Sequence, residues 1–298
     1  MITRIGTFSH TSAMITASLR TQARFADQQT KEATGLKSTS YGGLSKDAAS
    51  VLRLASQSSR LTADNTAASS ASSYVQAAYS AVGEIADLAT SIKSQLASLL
   101  SASTLNADTL ATYAQGWLDD LQTQLNGDLG GAYLFSGEAV ETAPVDFSAA
   151  TYDPTTSGDT GYYQGATTGR VFTASDGSKT ALSVSADNAA FEELARALSS
   201  IIADPGDKTV LASAIDLVGQ AITDLGAAQE TLGVQAASLA SLVERNTTKI
   251  DTLDSLASEL KDADLTQAAV LVVQYQTQLE ALYSTISSLS SVSLLKYL

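Results

Sequence analysis

The side chains best suited to chemistry are few and scattered. His10 is the sole histidine and cysteine is absent. A Ser-His-Asp or Cys-His arrangement, a thiolate metal site and a disulfide therefore lack their components. His10 itself stands in a polar N-terminal stretch and reads as a solvated or packing residue. Asp146, Asp153, Asp159 and Asp176 share one segment, but not with the spacing of a calcium loop, and read as turn residues. The glycines of NGDLGGAYLFSG lack both the lysine of a phosphate loop and the spacing of a dinucleotide fingerprint. Asn246-Thr247-Thr248 has the form of a glycosylation acceptor, yet it falls in a helical seam, where a structural Asn is expected. Trp117 stands at helical spacing between Leu110 and Leu121 and reads as core. No convergent polar constellation remains, so the chain is expected to be no enzyme and to carry no metal or cofactor.

What these residues decorate is a helical text. The 298 residues carry 31 acidic and 17 basic side chains, a formal charge of −14, which disfavours nucleic acid as a partner. Charge is uneven: residues 1 to 40 hold five Lys/Arg against Asp27 and Glu32, and residues 265 to 298 hold only Glu280 and Lys296. Ends that avoid negative charge are candidates for burial. The N-terminus has no apolar signal-like core, and the sequence suggests no run approaching the roughly 18 apolar residues of a membrane span. An extracellular fate would require a route that reads no cleaved signal.

Val75, Val82, Ala89 and Leu96, with Ala78, Ile85, Ile92 and Leu99, form one heptad register. Apolar spacing resumes after SASTLNAD at Leu110, Trp117, Leu121 and Leu125, and Gly127, Gly130 and Gly131 end it. A longer register runs Leu211, Val218, Leu225, Leu232, Leu239, Asn246, Leu253 and Leu260, with Ala214, Ala221, Ala228, Gln235, Leu242 and Leu256. A third joins Leu265, Val272, Leu279 and Ile286 to Ala268, Tyr275, Leu282 and Leu289. At the other end Phe8, Ile15, Leu19 and Ala26 are spaced for one helical face, and ATGLKSTSYGGLSKDAAS reads as an extended connection. Between about 136 and 188 prolines, tyrosines and glycines replace the heptads, and GRVFTAS and TALSVS flank an ASDGS turn, which reads as a hairpin. The expected fold is mainly α: an elongated helical bundle or coiled coil built from both terminal segments, with a small inserted β-rich domain. Its expected parts are a terminal coiled-coil domain (1–40 with 262–298), a helical rod (41–135 with 188–261) and the insert (136–187).

SLRTQARFADQQTKEATGLKSTSYGGLSKDAAS and TLGVQAASLASLVERN through SSVSLLKYL resemble the two ends of the bacterial flagellin-type axial proteins. GGAYLFSGEAVETAPVDF, the later YYQG and the ending SLLKYL are most similar to the hook-filament junction type within that family. The resemblance implies terminal helices paired near an axis, an outer helical bundle and a peripheral β domain. It also implies export through the flagellar type III apparatus without a cleaved signal, and an extracellular place in the flagellum. Expected partners are copies of itself in a ring, the neighbouring hook-associated protein, filament flagellin, and an export chaperone on residues 265 to 298. Neither nucleic acid nor membrane insertion is expected. Subunit-interface candidates are Ile15, Leu19, Leu265, Val272, Leu279, Leu282, Ile286 and Leu289. Gly131, Tyr133, Leu134, Phe135 and Gly137 are the candidates for joining insert to bundle. Competing readings are a filament flagellin, and a surface adhesion module that uses the tyrosine-bearing insert.

Overall fold

The computed structural model describes the backbone of residues 2–101 and 106–295, with side chains from 9 to 101 and from 106 to 288. Two compact units are present, one of Met1–Ser59 with Lys249–Leu298 and one of Arg60–Thr248. The helices are α1 (Ile2–Thr34), a 3-10 turn (Tyr41–Asp47), α2 (Ala48–Ser101), α3 (Ala107–Leu125), α4 (Ala189–Ala203), α5 (Lys208–Lys261) and α6 (Leu265–Leu295). Four short strands stand between α3 and α4: β1 (Asp128–Leu129), β2 (Ala132–Tyr133), β3 (Val171–Thr173) and β4 (Lys179–Ala181). β1 pairs with β2 and β3 with β4, both antiparallel.

In the Arg60–Thr248 unit the expected heptads are the core. Val75, Val82, Ala89 and Leu96 on α2 and Val218, Leu225, Leu232 and Leu239 on α5 are fully buried. Side-chain contacts fix the two helices antiparallel in one register: Asn65 bonds Thr247, Gln229 reaches Tyr79, and Lys93 lies over Gly219. One stretch of α5 is long and apolar enough to cross a membrane, contrary to the sequence expectation. Its apolar residues nevertheless recur by heptads and are covered by the unit's own core. α3 and α4 complete the layer with Leu110, Trp117, Leu121, Leu125, Phe191, Leu194 and Leu198. Asn106 caps α3 by accepting from Thr109 N at 3.1 Å, and Asn188 caps α4 by accepting from Ala190 N at 3.0 Å.

The long register does not continue unchanged. Leu239, Leu242 and Asn246 are buried, the next covered positions are Ile250 and Leu253, and Ala257 is buried where Leu256 had been expected. Two four-residue steps in succession, 242 to 246 to 250, make a stutter that turns Leu256 outward, to 44% exposure.

The Met1–Ser59 and Lys249–Leu298 unit is built on α1 and α6, which run antiparallel. Thr-Gly at residues 34 and 35 ends α1: Gly35 has φ +72° and its N–H donates to Lys31 O at 2.8 Å, a left-handed helix cap. The chain then bridges Leu36 to Asp262, and Lys37 Nζ donates to the carbonyls of Glu259 and Leu260, both at 2.9 Å, capping the end of α5. The extended connection expected here is thus an ordered clasp followed by the 3-10 turn.

Candidate assembly surfaces

The covered stripe of α1 is Thr11, Met14, Ser18, Thr21, Phe25 and Gln28, spaced by alternating threes and fours. The face expected from the sequence is turned away from it. Ile15 is 47% exposed, Leu19 is 60% exposed and Ala26 is exposed. Phe8 was the fourth member of that face, and its side chain lies outside those described. Polarity explains the difference, because Thr11, Ser18 and Thr21 make up half of the stripe and carry no hydropathic mark. Thr21 Oγ1 donates to Ala17 O at 3.0 Å, so its hydroxyl enters the seam already satisfied.

On α6 the covered stripe is Ala268, Val272, Tyr275, Leu279, Leu282 and Ile286, with Leu279 8% exposed. Among the described residues α6 packs extensively against α1, and Gln22 Nε2 donates to Tyr283 Oη between them. Val272, Leu279, Leu282 and Ile286 therefore lie in the chain's own helix pair, whereas Leu265 is 51% exposed. Leu289 falls among the side chains not described. Sequence reasoning passed over Val270 and Val273, which are 63% and 65% exposed. Their signal was legible: the run AAVLVV at 268–273 is apolar all round a helix, so a single seam leaves half of it bare. Ile15 and Leu19 on α1, and Leu265, Val270 and Val273 on α6, are exposed aliphatic residues of this helix pair. Covering each fully is worth ~1.5–3 kcal/mol.

In the Arg60–Thr248 unit the GGAYLFSG segment is a hairpin followed by a buried anchor. Gly130 and Gly131, at φ +65° and +86°, form the two-residue loop between β1 and β2, and Gly131 N donates to Asp128 Oδ2 at 2.8 Å. Tyr74 Oη donates to the carbonyls of Tyr133 and Leu134 at 2.8 and 3.0 Å. Phe135 is fully buried and meets Phe191 edge-on, with ring centroids 5.5 Å apart. Its carbonyl accepts from Ala186 N at 2.9 Å. Gly137 has φ +65°, and a Cβ there would stand 2.6 Å from the carbonyl oxygens of Ala166 and Thr168. Only glycine fits that position. Asn126, at the end of α3, completes the seat: its side-chain amide donates to Val145 O and accepts from Val145 N, both at 2.9 Å.

The expected hairpin of the insert is β3 and β4, but most of the insert is organised by turns and aromatic packing. Tyr152 and Tyr162 pack with Phe147 at 5.0–6.0 Å, and Tyr162 is fully buried, donating to Ala186 O at 2.8 Å. Burial pushes Tyr152 and Tyr163 up to about 12, and Tyr162 further in the same direction. Glu192, buried on α4, pairs with Arg196 at 2.7 Å and accepts from Gly158 N at 3.0 Å. The insert carboxylates serve its turns. Asp146, Asp153 and Asp176 each accept from the backbone N–H two residues on, at 2.9 Å. The hydroxyls of Ser148 and Thr155, together with those N–H groups, hold Asp146 and Asp153 below the usual carboxylate range. Asn246 is buried at 3% exposure in the α2–α5 seam, and His10 is exposed on α1.

Comparison with known proteins agrees with this architecture. Residues 215–298 match the family model described as the bacterial flagellin C-terminal helical region. The structure is similar to that of FlgL from Bacillus cereus, with a TM-score of 0.54 and 12% identity over 68% of this chain and 96% of that one. It is also similar to a Vibrio parahaemolyticus protein assigned as a flagellar hook-associated protein, with a TM-score of 0.60 and 12% identity over 72% of this chain and 97% of that one. No curated protein matches the sequence. Residues 215–298 are thus similar to the flagellin C-terminal helical region, and over more than two thirds of its length the chain has the fold of these two flagellar proteins.

Proposed function

We propose that this protein is a structural subunit of the bacterial flagellum that joins hook to filament and acts through its subunit interfaces rather than through an active site. The observation that carries this reading is the outward face of α6, where Val270 and Val273 stand bare on a helix of flagellin type. A subunit with apolar residues on both sides of its terminal helix has one side for its own α1 and one for a neighbour. In this reading Ile15, Leu19, Leu265, Val270 and Val273 meet other subunits. Val272, Leu279, Leu282 and Ile286 act indirectly, by holding α6 on α1. The terminal helices fold fully only on assembly, after export through the type III apparatus without a cleaved signal. The assembled form is a ring between a hook-associated neighbour and filament flagellin, outside the cell. A chaperone covers residues 265 to 298 before export.

Deleting the gene and restoring it as variants tests the reading. Deletion is expected to leave hooks without filaments and flagellin in the medium, and Val270→Asp with Val273→Asp should fail to restore filaments while retaining wild-type helix content. Normal filaments in the deletion strain, or full restoration by the double variant, would overturn it. A second reading, a filament flagellin, has the matched family region in its favour. Copy number separates the two, since a junction subunit makes one small ring and a flagellin polymerises by thousands. An adhesion module displaying the insert's tyrosines is disfavoured by their inward packing. Removal of residues 138–186 with loss of adhesion and retention of motility would revive it.

A further inference from the structure

The β3–β4 hairpin leaves one strand edge open beside a groove. Ala174 N donates to Ser178 O and Leu182 N to Arg170 O, both at 2.9 Å. Antiparallel alternation then points the N–H and C=O of Phe172 at β4 and those of Val171 and Thr173 away from it. Val171 and Thr173 are exposed, and no third strand joins this sheet among the described residues. Beyond the edge lies a cavity of about 530 Å³ lined by Ala67, Ser70 and Ala71 of α2 and by Leu129 and Ala132 of the β1–β2 hairpin. Ala67, Ser70, Ala71 and Ala132 are small and leave space unfilled beside β3, while Tyr74, Phe172 and Leu182 close the rest of the lining.

Contacts at both ends hold β3 alongside α2. Asp64 accepts from Ser175 N at 3.1 Å and from Ser175 Oγ at 2.7 Å, while the Arg170 guanidinium sits 4.4 Å above the Tyr74 ring. From Asp64 to Tyr74 a helix rises about 15 Å, and from Arg170 to Ser175 a strand spans about 16 Å. Charge also concentrates here. Residues 60–248 hold 22 acidic side chains against 7 basic ones, yet the only cations between Lys93 and Arg196 are Arg170 and Lys179. Arg170 immediately precedes β3, and Lys179 is the cross-strand partner of Thr173 at its far end.

We infer that this groove receives an extended acidic segment of another protein, which adds to β3 as a third strand. Its backbone would pair with Val171 and Thr173, its small or β-branched side chains would cover Ala67 and Ala71, and its carboxylates would meet Arg170 and Lys179. An acidic occupant fits because Arg170 and Lys179 flank this strand in a unit whose charge is predominantly negative.

The test pans a library of linear heptapeptides on the full-length chain and counter-screens against Val171→Pro. That substitution removes one outward N–H and leaves the β3–β4 ladder intact, because Val171 makes no ladder bond. Enriched peptides are expected to alternate Asp or Glu with β-branched residues. They should lose at least tenfold in affinity to Val171→Pro and to Arg170→Glu, and retain it with Val171→Thr, which keeps the N–H. Circular dichroism of each variant should match the parent. No enrichment, selection of basic peptides, or binding unaffected by Val171→Pro in a folded variant would overturn the inference. So would concentration-dependent self-association that Val171→Pro abolishes, which would assign the groove to a second copy.

Discussion

Replacing Phe135 with Ala tests whether the segment after the glycine hairpin anchors the insert. Phe135 is fully buried and edge-on to Phe191 at 5.5 Å, so truncation removes the ring's burial, opens a cavity and ends the aromatic contact. Phe→Ala in such a core costs ~3–5 kcal/mol, of which the ring pair contributes ~0.5–1.5. The backbone bond from Ala186 N survives the substitution, so the loss is one of packing alone. Against a domain stability of about 5–15 kcal/mol, a loss of about 4 is large. With a urea slope of about 2–3 kcal/mol per molar for a unit of this size, the unfolding midpoint should fall by about 1.5 M. Trp117, the only tryptophan, is 9% exposed on α3 in the same unit and reports the transition by fluorescence. Adding Phe191→Ala closes a double-mutant cycle whose coupling should be about 1 kcal/mol. A midpoint shift below about 0.5 M with an unchanged slope would refute the anchoring argument.

Gly137→Ala should destabilise the same unit by more than about 2 kcal/mol in the same urea assay, since its Cβ would press on two carbonyl oxygens at positive φ. Arg196→Met should cost about 3–5 kcal/mol by leaving the Glu192 carboxylate, 4% exposed, without its cation. Adding Glu192→Gln to it should recover part of that loss, and no recovery would argue against the ion pair as the cause. In alkali, the folded phenols of Tyr152 and Tyr163 titrate near 12, above an unfolded value of about 10. Their stabilising contribution is whole below pH 10 and is lost as pH rises through 12. Tyrosinate absorbance should therefore rise together with loss of helix in that window. Independent titration of all 11 tyrosines with the fold retained would contradict it.

The sequence announced those elements whose faces differ sharply in hydropathy. Val75 through Leu96 and Leu211 through Leu239 could be placed from spacing because an aliphatic residue stands at each heptad position and each of these is buried. The stripe of α1 was illegible for the opposite reason: Ser18 is buried and Thr11 and Thr21 are half-buried although none of them is apolar, Thr21 bonding its own helix, while Ile15 and Leu19 drew the eye outward. The stutter near Asn246 escaped because Leu256 continues the heptad in letters while the helix has already turned past it. Gly130 and Gly131 were read as terminators of α3. Two glycines in a two-residue loop flanked by Leu129 and Ala132 were the stronger signal for a hairpin. At the terminal helices, the pairing of 1–40 with 262–298 was expected but not which side of α1 faces α6, so the outward residues Val270 and Val273 were found only once the partner was in place.

The Ser- and Thr-lined stripe of α1 has a thermal consequence. A seam that buries hydroxyls against a neighbouring helix withdraws less hydrocarbon from water than a Leu zipper of equal length, and polar exposure offsets apolar exposure in the heat capacity of melting. The α1–α6 pair should therefore have a flatter stability curve than the aliphatic core of residues 60–248, changing little between a cold and a warm medium. A helix pair of this kind keeps nearly the same strength from one working temperature to another.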